Sequence, residues 1–173
     1  MLLGLHHVAI CTADADRLIG FYRDQLGFEL VADQSWEPGT ELADTVLGLA
    51  RTSGRQVLLR TGNGYLELFE FWSPPGRAGD PDRPVCDRGI THLCIDVDDL
   101  DETYERLVSA GTPFHSPPQA LFPGVRTCYS RDPDGNVVEI QELSAGSPFS
   151  VQRSVQSREA SARKAVVSSR STS

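Results

Sequence analysis

The sequence predicts an α+β fold built from two tandem β-α-β-β-β modules. Three observations carry that prediction. The same order of elements occurs twice, the apolar spacing within each element separates strands from helices, and turn residues punctuate both copies at matching places. Module 1 spans about residues 4–72 and module 2 about residues 89–143, together the domain 1–143, leaving a tail at 144–173.

The first strand of each module is set by a shared pattern. Leu5-His6-His7-Val8-Ala9-Ile10 opens the first copy and Ile90-Thr91-His92-Leu93-Cys94-Ile95-Asp96-Val97 the second; an offset of 85 sets His7 on His92, Val8 on Leu93 and Ile10 on Ile95. A helix follows in each. Asp14-Ala15-Asp16 precedes Leu18, Phe21, Tyr22 and Leu26 and ends at Gly27, while Asp98-Asp99 precedes Leu100, Tyr104 and Leu107 and ends at Gly111. Asp at the N-cap, apolar residues at helical spacing and Gly past the end form a complete helix signal. Two strands then return as a hairpin. Gln56–Thr61 and Tyr65–Phe71 flank Gly62-Asn63-Gly64, and Arg126–Arg131 and Asn136–Leu143 flank Asp132-Pro133-Asp134-Gly135. The last strands share Glu-[Leu/Ile]-x-Glu at an offset of 72, so module 1 carries 13 more residues before its hairpin, an excursion around Trp36–Leu49 expected to form a lid or rim.

Composition bounds the partners. The chain has 173 residues, 39% of them apolar and 23% charged, which is enough for one sizeable core. Net charge is −8, split as −12 over residues 1–143 and +4 over residues 144–173, which argues against nucleic acid as a main partner. The tail is rich in Ser, Arg, Ala, Gln and Val and has no aromatic after Phe149; it reads as a solvated segment with some helix around Val155–Val167. No apolar run reaches membrane-spanning length and the N-terminus lacks a signal pattern, so a cytoplasmic protein with no membrane partner is expected. Cys11, Cys86, Cys94 and Cys128 contain no C-x-x-C pair and read as free thiols.

Strand alternation picks out four residues. Val8 and Ile10 share one face, and Leu93, Ile95 and Val97 share the equivalent one; the helices must cover these aliphatic faces. His7 and His92 therefore point away from the helices, as do Glu67 between Leu66 and Leu68 and Glu139 between Val138 and Ile140. A single strand histidine is more often structural, and a single strand glutamate is more often solvated. Four such residues at repeat-equivalent places instead suit one divalent first-row metal, with positions left for water or substrate oxygens. His6 and His115 are not taken as ligands, Glu70 and Glu142 read as exposed strand-end charges, and Cys11 and Cys94 read as small cavity-lining hydrophobes.

These motifs, together with Phe21-Tyr22, Leu26-Gly27-Phe28, Gly89-Ile90-Thr91-His92-Leu93 and Arg131-Asp132-Pro133-Asp134-Gly135-Asn136, resemble the vicinal oxygen chelate superfamily over about residues 4–143. That superfamily includes glyoxalase I, methylmalonyl-CoA epimerase, fosfomycin-resistance and bleomycin-binding proteins and extradiol dioxygenases. The resemblance implies paired modules closing a cupped mixed sheet, helices outside, around one metal held by His7, Glu67, His92 and Glu139. It implies a small-molecule substrate that chelates through adjacent oxygens and reacts through a stabilised enolate. A His-Glu-His-Glu set resembles isomerases, epimerases and lyases of the glyoxalase type using Zn²⁺, Ni²⁺, Co²⁺ or Mn²⁺, with Glu139 or Glu67 as the base. The alternatives are an Fe(II) ring-cleaving dioxygenase, with His7, His92 and Glu139 as its ligands, and a non-catalytic drug-binding protein; members of that last kind lack the ligand set. Some members are homodimers that build the site across the interface, and alternation leaves open whether one chain or two supply it here.

Overall fold

The computed structural model describes residues 1–150. The element order is β1 (His7–Thr12), α1 (Ala15–Ile19), a π-helical segment (Gly20–Gln25), β2 (Glu29–Trp36), α2 (Glu41–Leu47), β3 (Ser53–Arg60), β4 (Tyr65–Ser73), β5 (Leu93–Val97), α3 (Leu100–Ser109), β6 (Gln119–Phe122), β7 (Val125–Arg131) and β8 (Val137–Leu143). The helix expected over Val155–Val167 lies outside the described residues.

Each module is a four-stranded mixed sheet, ordered β1-β4-β3-β2 in one and β5-β8-β7-β6 in the other. The first strand of each pairs in parallel with the last, His7 through Thr12 against Tyr65 through Glu70 and Leu93 through Val97 against Val138 through Glu142. Parallel pairing needs a crossover, which the helix of each module supplies. The two folds are thus the predicted β-α-β-β-β units, with β2 and β6 as the edge strands of their sheets. Three boundaries differ from the sequence reading. The first helix widens after Ile19 into π geometry, with Leu26 N–H donating to Phe21 O at 3.1 Å. His92 sits one residue ahead of β5 instead of within it. The Trp36–Leu49 excursion folds as the end of β2 followed by α2.

One core serves both modules. Leu18, Phe21, Tyr22, Leu59, Leu66 and Leu68 are in a single buried cluster with Leu100, Leu107, Cys128, Val138 and Ile140. Burying each such side chain is worth about 1.5–3 kcal/mol, so shared packing contributes to holding the modules together. Polar ties cross the same seam. Tyr22 Oη donates to Asp132 Oδ2 at 2.9 Å, Arg17 pairs with Asp134, and Arg106 donates to the Gln25 carbonyl. The β7–β8 turn needs its glycine: Gly135 has φ +87°, and a Cβ there would meet Pro81 Cα at 2.4 Å.

Glu70 and Glu142 are corrected by the structure. They are not idle strand-end charges. Glu70 Oε2 accepts the backbone N–H of Ala15 at 3.2 Å, and Glu142 Oε2 accepts that of Leu100 at 3.0 Å, the first residues of α1 and α3. Each carboxylate meets a helix N-terminus, where free donors and the macrodipole favour negative charge. Asp14 and Asp99 complete the caps by accepting from Arg17 N and Glu102 N.

Candidate metal centre

Alternation puts His7, Ala9 and Cys11 on the outer face of β1, where all three are exposed while Ile10 is buried. On β4 the residues Tyr65, Glu67, Phe69 and Phe71 share that face, and Leu66 and Leu68 turn into the core. The same logic on β8 sends Val138 and Ile140 inward and Glu139 outward. Both glutamates nevertheless lie low in their sheets, at 7% exposure each.

The structure gathers the predicted residues as two pairs. His7 Nε2 is 3.4 Å from Glu67 Oε2, and His92 Nε2 is 3.0 Å from Glu139 Oε2. Among the described residues no three His, Cys, Asp or Glu side chains converge as a metal would require. Each module therefore presents one imidazole and one carboxylate. The arrangement at each histidine suits ligation. His7 Nδ1 is engaged by His6 Nδ1 at 2.9 Å and His92 Nδ1 by Thr91 Oγ1 at 2.7 Å. Ligating histidines are commonly held through one ring nitrogen, leaving the other for the metal; here Nδ1 of each ring is held and Nε2 faces the carboxylate.

Register exposes neighbours that sequence reasoning missed. Gln56 stands opposite Phe69, and its Nε2 donates to Glu67 Oε1. Thr127 occupies the matching place opposite Gln141, its hydroxyl 2.7 Å from Glu139 Oε1. Tyr129, paired with Glu139 across the ladder, donates its phenol to Oε2 at 3.2 Å, where module 1 has Leu58 opposite Glu67. Burial, with the Glu139 charge and hydrogen bond added, pushes the Tyr129 phenol up to about 12 and the Cys94 thiol likewise to about 12. Both are thus hydrogen-bonded to Glu139 as donors. His115 stacks on Tyr129 with ring centroids 6.3 Å apart, and His6 on Tyr65 at 4.8 Å. A cavity of about 420 Å³ lies between β1 and the approach to β5, lined by Ala9, Cys11, Arg83, His92, Arg131 and Asp134 among others.

Two β-α-β-β-β modules, each offering a His–Glu pair on the face away from its helix, define a class. A family model for the glyoxalase/bleomycin resistance protein/dioxygenase superfamily matches residues 4–140, and the chain belongs to that superfamily. The chain is 32% identical over 144 residues to YaeR of Escherichia coli, covering 82% of this chain and 99% of that protein. It is 32% identical over 163 residues to 2-epi-5-epi-valiolone epimerase of an Actinomyces species, covering 88% and 86%. Among solved structures, a glyoxalase family protein from Bacillus cereus superposes with a TM-score of 0.76 at 27% identity, covering 83% of this chain and 95% of that one.

Proposed function

We propose that this protein is a metal-dependent isomerase, epimerase or lyase acting on a small carbonyl compound with adjacent oxygens, and that His7, Glu67, His92 and Glu139 hold one divalent ion. The carrying observation is the pair of His–Glu half-sites, each with its imidazole Nε2 turned to the carboxylate. Because the halves lie apart within one chain, a second copy supplies the complementary half. Exposed Leu5 beside His7 and Ile90 beside His92, 80% and 70% exposed, fit surfaces that such a partner covers.

Two imidazoles and two carboxylates fit Zn²⁺, Ni²⁺, Co²⁺ or Mn²⁺ and balance the charge of the dication. Bound there, the ion supplies Lewis acidity, stabilising negative charge that develops on a substrate oxygen. The protein supplies the proton chemistry. A carboxylate takes the proton from the carbon beside the carbonyl; in an isomerase the same group returns it to a neighbouring atom, whereas an epimerase needs a second proton donor on the opposite face of that carbon. The two glutamates are unequally restrained. Among the described residues Glu139 has donors in Thr127, Tyr129 and Cys94, whereas Glu67 has Gln56 besides its histidine. Glu67 is the freer to move, and we assign it the base role, with Glu139 as the fixed anchor. The 2-epi-5-epi-valiolone epimerase supports the reaction class. The test is solvent deuterium incorporation next to the carbonyl across a panel of α-hydroxy and 2-substituted carbonyl compounds, with each metal in turn. Incorporation that disappears in Glu67→Gln supports the reading; no incorporation with any metal overturns it.

A further inference from the structure

The outer face of module 1 carries a second feature beside the His7–Glu67 pair. Phe69 and Phe71 stack at 5.5 Å between centroids, and Trp36 meets both edge-on, at 6.1 Å and 5.6 Å. All three rings are half-buried. Phe69 follows Glu67 by two residues on the same face, a step of about 7 Å along a strand, roughly the reach of one phenyl group bonded to a chelated carbonyl carbon. Gln56 links the two features, since it faces Phe69 across the ladder and donates to Glu67.

The platform is built, and not merely left over from packing. Gly54, opposite Phe71, leaves the space Trp36 fills; a Cβ there would meet the indole Cη2 at 2.8 Å. The indole N–H donates to Thr52 Oγ1 at 3.0 Å, and that hydroxyl donates to Asp44 Oδ1 of α2 at 2.7 Å. Asp44 also accepts from the backbone of Arg51 and Thr52, so the excursion helix fixes the ring's plane. Among the described residues module 2 has no matching three-ring cluster at these places. The places of Phe69 and Phe71 are taken there by Gln141 and Leu143, beside Thr127 and Tyr129.

We propose that Trp36, Phe69 and Phe71 form the specificity subsite for an aryl or other planar apolar substituent of the substrate, placed on the Glu67 side of the centre. This rests on the reading of the four ligands given above and adds the substrate class: carbonyl compounds bearing an unsaturated or aromatic group next to the chelating oxygens. The half-buried rings leave an apolar aromatic surface beside Glu67, and such a surface suits a flat ring better than a saturated chain.

The test compares two probes that share the same chelating group, 2-hydroxyacetophenone and hydroxyacetone, by equilibrium binding to the full chain with and without Zn²⁺. In a Trp72→Phe background Trp36 is the sole tryptophan, and its fluorescence reports the subsite directly. The aryl probe is expected to bind about tenfold more tightly than hydroxyacetone and to perturb Trp36 saturably. Phe69→Ala, and the volume-conserving Phe69→Leu as a check on folding, should bring the two probes to within about twofold, chiefly by weakening the aryl probe. A ratio indifferent to both substitutions, or no saturable change at Trp36, overturns the subsite. The two readings fail separately. Deuterium exchange with an indifferent ratio removes only the subsite; an aryl preference lost in Phe69→Ala, without exchange under any metal, removes only the enzymatic assignment.

Discussion

The two modules share a backbone plan and differ in what they place around the same pair of residues. In module 1, Glu67 has an amide donor from Gln56, an apolar neighbour in Leu58 and aromatic rings further along its strand. In module 2, Glu139 has a hydroxyl, a phenol and a thiol. Duplication keeps what the fold requires, the parallel first-to-last pairing and the helix crossover, while the outer face is free to diverge. The difference teaches that a symmetric fold carries asymmetric surroundings for its two His–Glu pairs, which is the basis for the unequal roles proposed above for Glu67 and Glu139.

The most severe way to break the comparison is to remove a ligand. His92→Ala should lose metal and activity together, with affinity falling by more than about 100-fold, beyond what changes to supporting residues cause. The fold should persist, because Leu93, Ile95 and Val97 carry the packing on the other face. His6→Ala should still bind metal stoichiometrically, with a smaller loss through the Nδ1 contact to His7. Elemental analysis and melting with and without chelator decide both. Mixing His7→Ala and His92→Ala proteins should restore part of the activity if a second copy completes the centre; no recovery on mixing would falsify that arrangement.

A milder comparison substitutes the supporting donors. Gln56→Leu removes the one side-chain donor to Glu67, apart from His7, among the described residues, and about a tenfold to hundredfold loss of metal affinity is expected. Thr127→Val leaves Glu139 with Tyr129, Cys94 and His92, so its loss should stay below about tenfold. Metal titration against a competing chelator measures the two on one scale. Equal losses would erase the distinction between an anchored and a mobile carboxylate.

Much of this was legible in the sequence. The offsets of 85 and 72 were sufficient to show the duplication, and period-two alternation separated Leu66 and Leu68 from Glu67. Alternation gives a face but not depth or reach. It assigned Glu70 and Glu142 to the helix side and missed that they cap α1 and α3, because that contact joins residues 55 and 42 apart. Gln56 and Thr127 were invisible for the same reason, since only the cross-strand register sets them beside the glutamates. The separation of the ligands into two halves depends on how the modules pack, which no local pattern encodes.

The seam between modules is asymmetric too. Tyr22 donates to buried Asp132, whose equivalent tie in the other direction does not exist because Leu107 stands where the repeat would put a tyrosine. Burial pushes the Asp132 carboxyl above the ordinary carboxylate range, against the pull of its donors Asn136 and Tyr22. Its native value is therefore raised over its unfolded value, so its contribution is most favourable at low pH and is lost as pH rises through the native value. Tyr22→Phe removes a donor to the charged form. It should cost about 1–3 kcal/mol near neutral pH and less near pH ~4, where the carboxyl is increasingly protonated. A penalty independent of pH, measured by denaturant unfolding at both values, would place the loss in packing instead of in the hydrogen bond.

The smallest expected effect tests where the modules agree. Glu70 and Glu142 each meet the first backbone N–H of a helix, and both helices start on a residue that is wholly buried, Ala15 and Leu100. Replacing either glutamate by Gln retains an acceptor and removes the charge facing the helix dipole, so each should cost about 0.3–1 kcal/mol. The environments differ slightly, since Glu70 also accepts from the Trp72 indole and Glu142 stands 3.7 Å from Arg126. Arg126 has its stronger partner in Asp101 and is half-exposed, so this pair adds little. The two losses should therefore be similar, and the double variant should equal their sum within about 0.5 kcal/mol, as for sites without shared partners. Metal content should not change in either, because both carboxylates point to the helix layer and away from the His–Glu pairs. Urea unfolding of the two single variants and the double variant measures this directly. A loss confined to one module would show that the capping, like the outer face, has diverged after duplication.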